Sequence, residues 1–258
     1  MTTHTTPTVA VVTGGTAGIG RSAAIELARR GGGVVVTYNS RPDGADETVS
    51  MIEDLGGRAR SLKLDVSDTT TFPEFRTELA TVVKDTWGVD RIHALVNNAG
   101  FGGGMAFAEM TEDAFDAYYR VLFRGPYFLA QTLLPMLEDG GSILSVSSSS
   151  VRPGDTEPGY SGYAGMKAGL ITASRFMARE LGERGIRVNT IAPGPTRTRL
   201  GDDAFEKYPE VIPPIVAKTV LGRLGEPQDI GAVIAFLISD DGAWITGQDI
   251  HATGGYDL

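Results

Sequence analysis

Thr13-Gly14-Gly15-Thr16-Ala17-Gly18-Ile19-Gly20 follows a β-branched run at 9–12 and opens an amphipathic stretch at 20–30. In a strand–turn–helix context, glycine lets the backbone bend sharply and approach a phosphate, and the helix N-terminus supplies oriented N–H groups and positive dipole. The spacing Gly18-x-Gly20-x-x-Ala23 also fits a dinucleotide fingerprint. A plain tight turn uses the same glycines, so the rest of the chain decides its meaning.

Working outward, short apolar runs recur at 34–37, 62–64, 94–96, 143–146 and 188–191. Continuous runs of this kind suit a parallel sheet buried on both faces. Helical patterns lie between them, at 20–30, 45–55, 72–85, 112–137, 162–183 and 227–239. The alternation predicts right-handed βαβ units. The expected fold is α/β: one doubly wound, Rossmann-type domain over 1–258, with a parallel sheet of about seven strands and helices on both faces. Residues 196–219, with Pro209, Pro213 and Pro214, break the alternation and are expected to be an insertion covering the active site.

Composition narrows the function. The 23 basic and 32 acidic residues give a formal charge of −9, which opposes the phosphate contacts that dominate nucleic-acid binding. Cysteine is absent, so disulfides, thiolate metal sites and cysteine nucleophiles are excluded, and no metal is expected. The Thr-rich start lacks the cationic and apolar stretches of a secretory signal, and no apolar run approaches the ~18 residues of a membrane span. A cytoplasmic protein with no membrane or nucleic-acid partner is expected.

The second strand ends Thr37-Tyr38-Asn39-Ser40-Arg41, and no acid follows before Asp43. A site for NAD usually places an acid here to hold the ribose 2′-hydroxyl. Arg41 would instead pair with a 2′-phosphate, with Asn39 and Ser40 donating hydrogen bonds, so NADP(H) is favoured over NAD(H). A solvated loop charge is the alternative for Arg41.

Tyr163-Ala164-Gly165-Met166-Lys167 places a phenol and an ammonium four residues apart, on one helix face. A phenol ionises near pH ~10. A neighbouring cation is expected to bring it toward neutrality, making Tyr163 a general acid and base. Such a pair is common on surfaces and gains meaning from its company: the glycine turn, Asp65-Val66, Asn97-Asn98-Ala99-Gly100, the serines at 147–150, Arg187-Val188-Asn189, Pro193-Gly194, and Ile245-Thr246-Gly247-Gln248 before Gly254-Gly255. Across essentially its whole length the chain resembles the short-chain dehydrogenase/reductase family, including its 3-ketoacyl-carrier-protein reductase-like members.

The resemblance implies a hydride transfer between NADP(H) and a carbonyl or secondary alcohol, with Ser148, Tyr163 and Lys167 catalytic. Gly14, Thr16, Gly18, Ile19 and Gly20 would hold the pyrophosphate side, Asp65 the adenine amine and Val66 its ring edge. Asn98, Ala99 and Gly100 would underlie the adenosine ribose. Lys167 would bind the nicotinamide ribose, Pro193 and Gly194 would line the nicotinamide pocket, and Thr196 or Thr198 would reach the carboxamide or phosphate. Ser148 is preferred among the four serines because it lies just past its strand, with Tyr163 15 residues on. Tyr160 has Ala164 four places on, and so no cation.

One departure stands out. Many members carry an asparagine on the helix after the fourth strand, which holds a proton-relaying water. Leu122 falls at that position, and 109–138 contain no asparagine. Activity with a weakened relay is expected. The alternative is a catalytically impaired dinucleotide-binding sensor or regulatory protein. The triplet Gly102-Gly103-Gly104, residues 152–161 and residues 196–219 are expected to line the substrate pocket, with Phe101, Met166 and Tyr208 hinting at an apolar one. The resemblance also implies a homotetramer or homodimer, since in the family long helices like those at 112–137 and 162–183 pack between subunits.

Overall fold

The computed structural model describes residues 8–258, apart from the side chains at 200–202; the Thr-rich start at 1–7 lies outside the described residues. Among the described residues seven strands form one sheet: β1 (Val9–Val12), β2 (Gly33–Tyr38), β3 (Ala59–Lys63), β4 (Ile92–Asn97), β5 (Leu137–Val146), β6 (Arg187–Pro193) and β7 (Asp249–Ala252). They pair in parallel in the order β3-β2-β1-β4-β5-β6-β7.

Two-residue periodicity divides the core between the faces. Val9, Val11, Val35, Leu95, Ile143 and Val188 point to one face. There they meet α3 (Phe72–Trp87), α5 (Gly125–Leu133) and α6 (Ser161–Leu181) through Leu79, Leu129 and Ala178. Ala10, Val12, Val34, Val36, Val96 and Ile191 point to the other. Leu27 of α1 (Gly18–Arg29), Ile52 of α2 (Pro42–Asp54) and Ile234 of α9 (Pro227–Ile238) cover them. The sheet is therefore buried on both sides, as the unbroken apolar runs require. The strand order reverses between β1 and β4, which opens a crevice beyond their carboxyl ends, where doubly wound sheets bind ligands.

Three local expectations need correction. The helix foreseen at 112–137 is broken into α4 (Glu112–Tyr119), a π-helical stretch (Arg120–Arg124) and α5. Pro126 explains the break, since it lacks an N–H and its ring crowds the Leu122 carbonyl, so the preceding turn widens. Pro135 then ends α5, and the strand foreseen at 143–146 starts at Leu137. The segment at 196–219 is also more regular than its prolines suggest. It carries α7 (Leu200–Lys207) and α8 (Ile212–Ala217), where Pro213 and Pro214 sit in the first turn and sacrifice no helical hydrogen bond.

Candidate active site

The glycine turn joins β1 to α1 at the crevice. Gly18 has φ +55°, in the left-handed region that glycine enters without penalty. A Cβ on Gly20 would lie 2.4 Å from both Asn98 Nδ2 and the Gly14 oxygen, so the helix can press this close only with glycine there. The first turn of α1 has no acidic residue and its cap, Ala17, offers no side-chain hydrogen bond. Its N–H groups and dipole thus face an anion position, which fits a dinucleotide pyrophosphate.

Asn98 Nδ2 donates to the Thr13 and Gly14 oxygens at 2.9 and 3.2 Å. Thr13 Oγ1 accepts from the Asn98 and Ala99 amides at 3.0 and 2.9 Å. This lacing ties β1 to β4 and brings in Thr13, which the sequence reading passed over. Arg21 was missed too. Its guanidinium donates to the Thr16 and Gly44 oxygens at 2.6 and 3.2 Å, to Thr48 Oγ1 at 3.0 Å, and to Glu47 at 2.6 Å, tying the turn to α2. An arginine three residues into a helix is the signal that could have found it.

Asn39, Ser40 and Arg41 are exposed together at the carboxyl end of β2. Asp65 Oδ1 accepts from the Ser67 amide and hydroxyl, and Val66 is buried beside it. On the far side, Thr196 Oγ1 donates to the Gly194 oxygen at 2.8 Å. The Gly194 amide bonds to Ala252 of β7 at 3.1 Å. The Thr198 methyl faces Gly18. The loops that follow β1, β2, β3, β4 and β6 thus carry these residues at one end of the parallel sheet.

At its centre, Tyr163 and Lys167 lie on the buried face of α6 at 8% and 5% exposure. Lys167 Nζ donates to the Val146 oxygen at 2.6 Å and stands 5.8 Å from the Tyr163 ring centroid. Burial pushes the ammonium down from 10.5 to about 8. Burial likewise raises the Tyr163 phenol, and a hydrogen bond with the Ser148 side chain pulls it partly back. The expected lowering by Lys167 is thus overturned in this geometry. Desolvation dominates, and the ammonium's hydrogen bond goes to a carbonyl oxygen.

The four serines separate by their partners. Ser147 Oγ donates to the Ile191 oxygen and Asp249 Oδ1 at 3.0 and 2.8 Å, pinning β5 to β6 and β7. Ser149 is buried in the short turn that follows. Ser148 is the serine that influences the Tyr163 phenol, and its Oγ shares a 2.9 Å hydrogen bond with Ser150 Oγ. Leu122, in the π-helical stretch, is 1% exposed and clusters with Tyr118 and Tyr163.

The chain belongs to the short-chain dehydrogenase/reductase family of oxidoreductases: the family model described as enoyl-(acyl carrier protein) reductase matches residues 14–257. Among its relatives is an uncharacterized oxidoreductase of Methylorubrum extorquens, 38% identical over 247 residues that make up 96% of each chain. Similar solved structures include the promiscuous reductase LugOII, which catalyses keto-reduction at C1 during lugdunomycin biosynthesis. It is 35% identical with TM-score 0.92, covering 99% of this chain and 100% of that one. The angucycline C-6 ketoreductase LanV with bound NADP is 36% identical with TM-score 0.91, covering 97% and 95%. Among the described residues no helix is long and apolar enough to cross a membrane.

Proposed function

We propose that this chain is an NADP(H)-dependent ketone reductase or alcohol dehydrogenase with Ser148, Tyr163 and Lys167 as its catalytic residues. The observation that carries the reading is the buried phenol of Tyr163 one helical turn from the buried ammonium of Lys167, which stands 5.8 Å from its ring, beside a glycine turn fitted to a dinucleotide. The ketoreductases LugOII and LanV, the latter holding NADP, support the same reaction and cofactor.

Bound NADP(H) supplies or accepts the hydride. Gly14, Thr16, Gly18, Ile19 and Gly20 hold its pyrophosphate, and Asn39, Ser40 and Arg41 its 2′-phosphate. Asp65 and Val66 bound the adenine, and Asn98, Ala99 and Gly100 the adenosine ribose. Pro193, Gly194, Thr196 and Thr198 line the nicotinamide side. In reduction, Ser148 orients the substrate oxygen and Tyr163 Oη gives its proton to the developing alkoxide. Lys167 binds the nicotinamide ribose. General acid assistance of this kind is worth roughly 10²–10⁴ in rate. In oxidation the proton runs the other way.

The domain spans the chain, with 196–219 as its substrate-covering insertion. A homotetramer in the cytoplasm is the assembly proposed, with Phe176 of α6, which is 66% exposed, facing a partner. The test is NADPH oxidation against aldehydes, quinones, ketoesters and β-ketoacyl thioesters, with Tyr163→Phe as control. Turnover that falls at least 10²-fold in the variant supports the reading. Cofactor binding without consumption across the panel would favour the sensor alternative, and near-normal turnover in Tyr163→Phe would overturn the assignment of Tyr163.

A further inference from the structure

Asp249 occupies a costly place. It lies in β7, opposite Thr190 of β6, with its side chain 9% exposed. Aspartate is a poor strand former, and a buried carboxylate is expensive unless it is well hydrogen-bonded. The backbone pairing of β6 with β7 needs no acid there. What the carboxylate gains is a set of side-chain partners. Its Oδ1 accepts from Thr190 Oγ1 at 2.6 Å and from Ser147 Oγ at 2.8 Å, and its Oδ2 accepts from His251 Nε2 at 3.0 Å. A carboxylate only accepts, so Nε2 is the ring nitrogen that carries the hydrogen. With both oxygens held, the plane of the carboxylate is fixed.

Ser147 is the partner that bears on the site. It is buried and adjoins the backbone of both groups assigned to the chemistry. The peptide joining Val146 to Ser147 presents its carbonyl to Lys167 Nζ at 2.6 Å and its amide to the Ile191 oxygen at 2.7 Å. Ser148 follows directly, in extended backbone, with its Oγ accepting from the Ser150 amide at 3.2 Å. A single amide hydrogen bond leaves a peptide free to rock about it, and the Ser147 hydroxyl supplies the second point of attachment. Its proton lies between Asp249 Oδ1 at 2.8 Å and the Ile191 oxygen at 3.0 Å. The nearer, charged acceptor is the stronger.

We propose that Asp249 is a positioning residue for the reaction: through the Ser147 hydroxyl it locks the peptide that holds Lys167 on one side and leads into Ser148 on the other. The proposal rests on the reading of Ser148 and Lys167 as catalytic. Asp249 acts through Ser147 and not on the reacting atoms. Its contribution is geometric, and a displacement of about 1 Å at a reacting group costs about 10²-fold in rate.

The test measures kcat and the Kd for NADPH, the latter by fluorescence titration, on the whole chain. The carbonyl probe is whichever of ethyl acetoacetate, benzaldehyde, menadione and acetoacetyl coenzyme A the wild-type chain reduces fastest. Asp249→Val, which favours a strand and loses the acceptor, lowers kcat about 10- to 100-fold. The Kd for NADPH stays within about threefold, since the contacts to its phosphates lie elsewhere. Ser147→Ala removes the same bond and leaves β7 untouched, so it reproduces the fall even where Asp249→Val folds poorly. The double variant is no slower than the slower single one, because both break one link. Asp249→Asn keeps an oxygen for the two hydroxyls, while His251 meets its amide through the other tautomer, and kcat returns to within about threefold of wild type. A kcat within about twofold of wild type in Ser147→Ala, or single losses that multiply in the double variant, overturns the positioning role and leaves the reductase reading intact. So does a loss of NADPH affinity that matches the loss of kcat, which would make Asp249 a support of the fold alone. A wild-type chain that reduces none of the probes overturns the reductase reading and this role with it.

Discussion

Lys167 sits one turn beyond Tyr163 on α6 with its Nζ 5.8 Å from the phenol ring, but its 2.6 Å hydrogen bond runs to the Val146 oxygen at the end of β5. The ammonium is thus held in a dry site by a neutral carbonyl. Its fall from 10.5 to about 8 corresponds to about 3 kcal/mol of stability given up at neutral pH. The sign follows from proton binding. Between about pH 8 and 10.5 the unfolded chain binds more protons at this lysine than the folded one, so stability rises with pH through that window. Lys167→Met should therefore raise Tm at pH 7, where the penalty is full, and lose that advantage above pH 10.5, while turnover collapses. Thermal melts of both proteins across this range check it. A variant less stable than wild type at pH 7 would show that the ammonium is better compensated than its burial indicates.

The parts of this site that the sequence revealed are those with local chemistry. The glycine turn needs its residues within eight positions, and Tyr163 and Lys167 share a face through helical periodicity alone. What stayed hidden depended on local backbone irregularity or on distant partners. The π-helical stretch at Arg120–Arg124 arises from a proline two residues later. Ser147 differs from Ser148 only because Ile191 and Asp249 lie beside it. Tyr160, which lacks a cation four residues on, still lies against Tyr163 because the chain enters α6 there. The sign of the Tyr163 shift was misjudged for a related reason: spacing reports the cation's proximity but not the desolvation around both groups.

Ser148 links the serine turn to the phenol, and its hydrogen bond is the influence that lowers Tyr163 against burial. Ser148→Ala removes that influence, so the phenol rises further. The alkaline limb of the pH–rate profile for ketone reduction should move to higher pH, because the proton donor survives longer. Turnover should fall by about 10², the cost of losing one donor to a developing oxyanion. Ser150→Ala and Ser147→Ala serve as comparisons. If either produced the alkaline displacement and Ser148→Ala did not, the catalytic serine would be misassigned.

Arg41 stands exposed beside Asn39 and Ser40 at the end of β2, where a 2′-phosphate would lie. Charge-assisted hydrogen bonds are worth about 1.5–3 kcal/mol when buried, and exposure reduces this. Arg41→Ala should raise the KM for NADPH about tenfold, leave that for NADH nearly unchanged, and weaken the salt dependence of NADPH binding. Steady-state kinetics with both cofactors decide the matter. A wild-type preference for NADH, or equal effects on the two cofactors, would remove Arg41 from the phosphate site.

Leu122 presents the sharpest chemical question, because an apolar side chain at 1% exposure packs with Tyr118 and Tyr163 where a polar relay is expected. Leucine cannot bind water, so the proposed reaction would move protons from the Tyr163–Lys167 pair by a poorer route. Leu122→Asn supplies the missing amide at the cost of burying a polar group in an apolar cluster, roughly 2–5 kcal/mol. Two opposed effects are expected: Tm falls by several degrees, while kcat rises severalfold and its pH dependence changes. Leu122→Ala separates them, since it loses the packing without gaining the amide and should lower Tm with no gain in turnover. Stopped-flow and steady-state profiles across pH, read beside melting curves, carry the test. Turnover and a pH profile identical to those of the leucine protein would mean that the proton leaves by another path, and that Leu122 does no more than pack behind Tyr163.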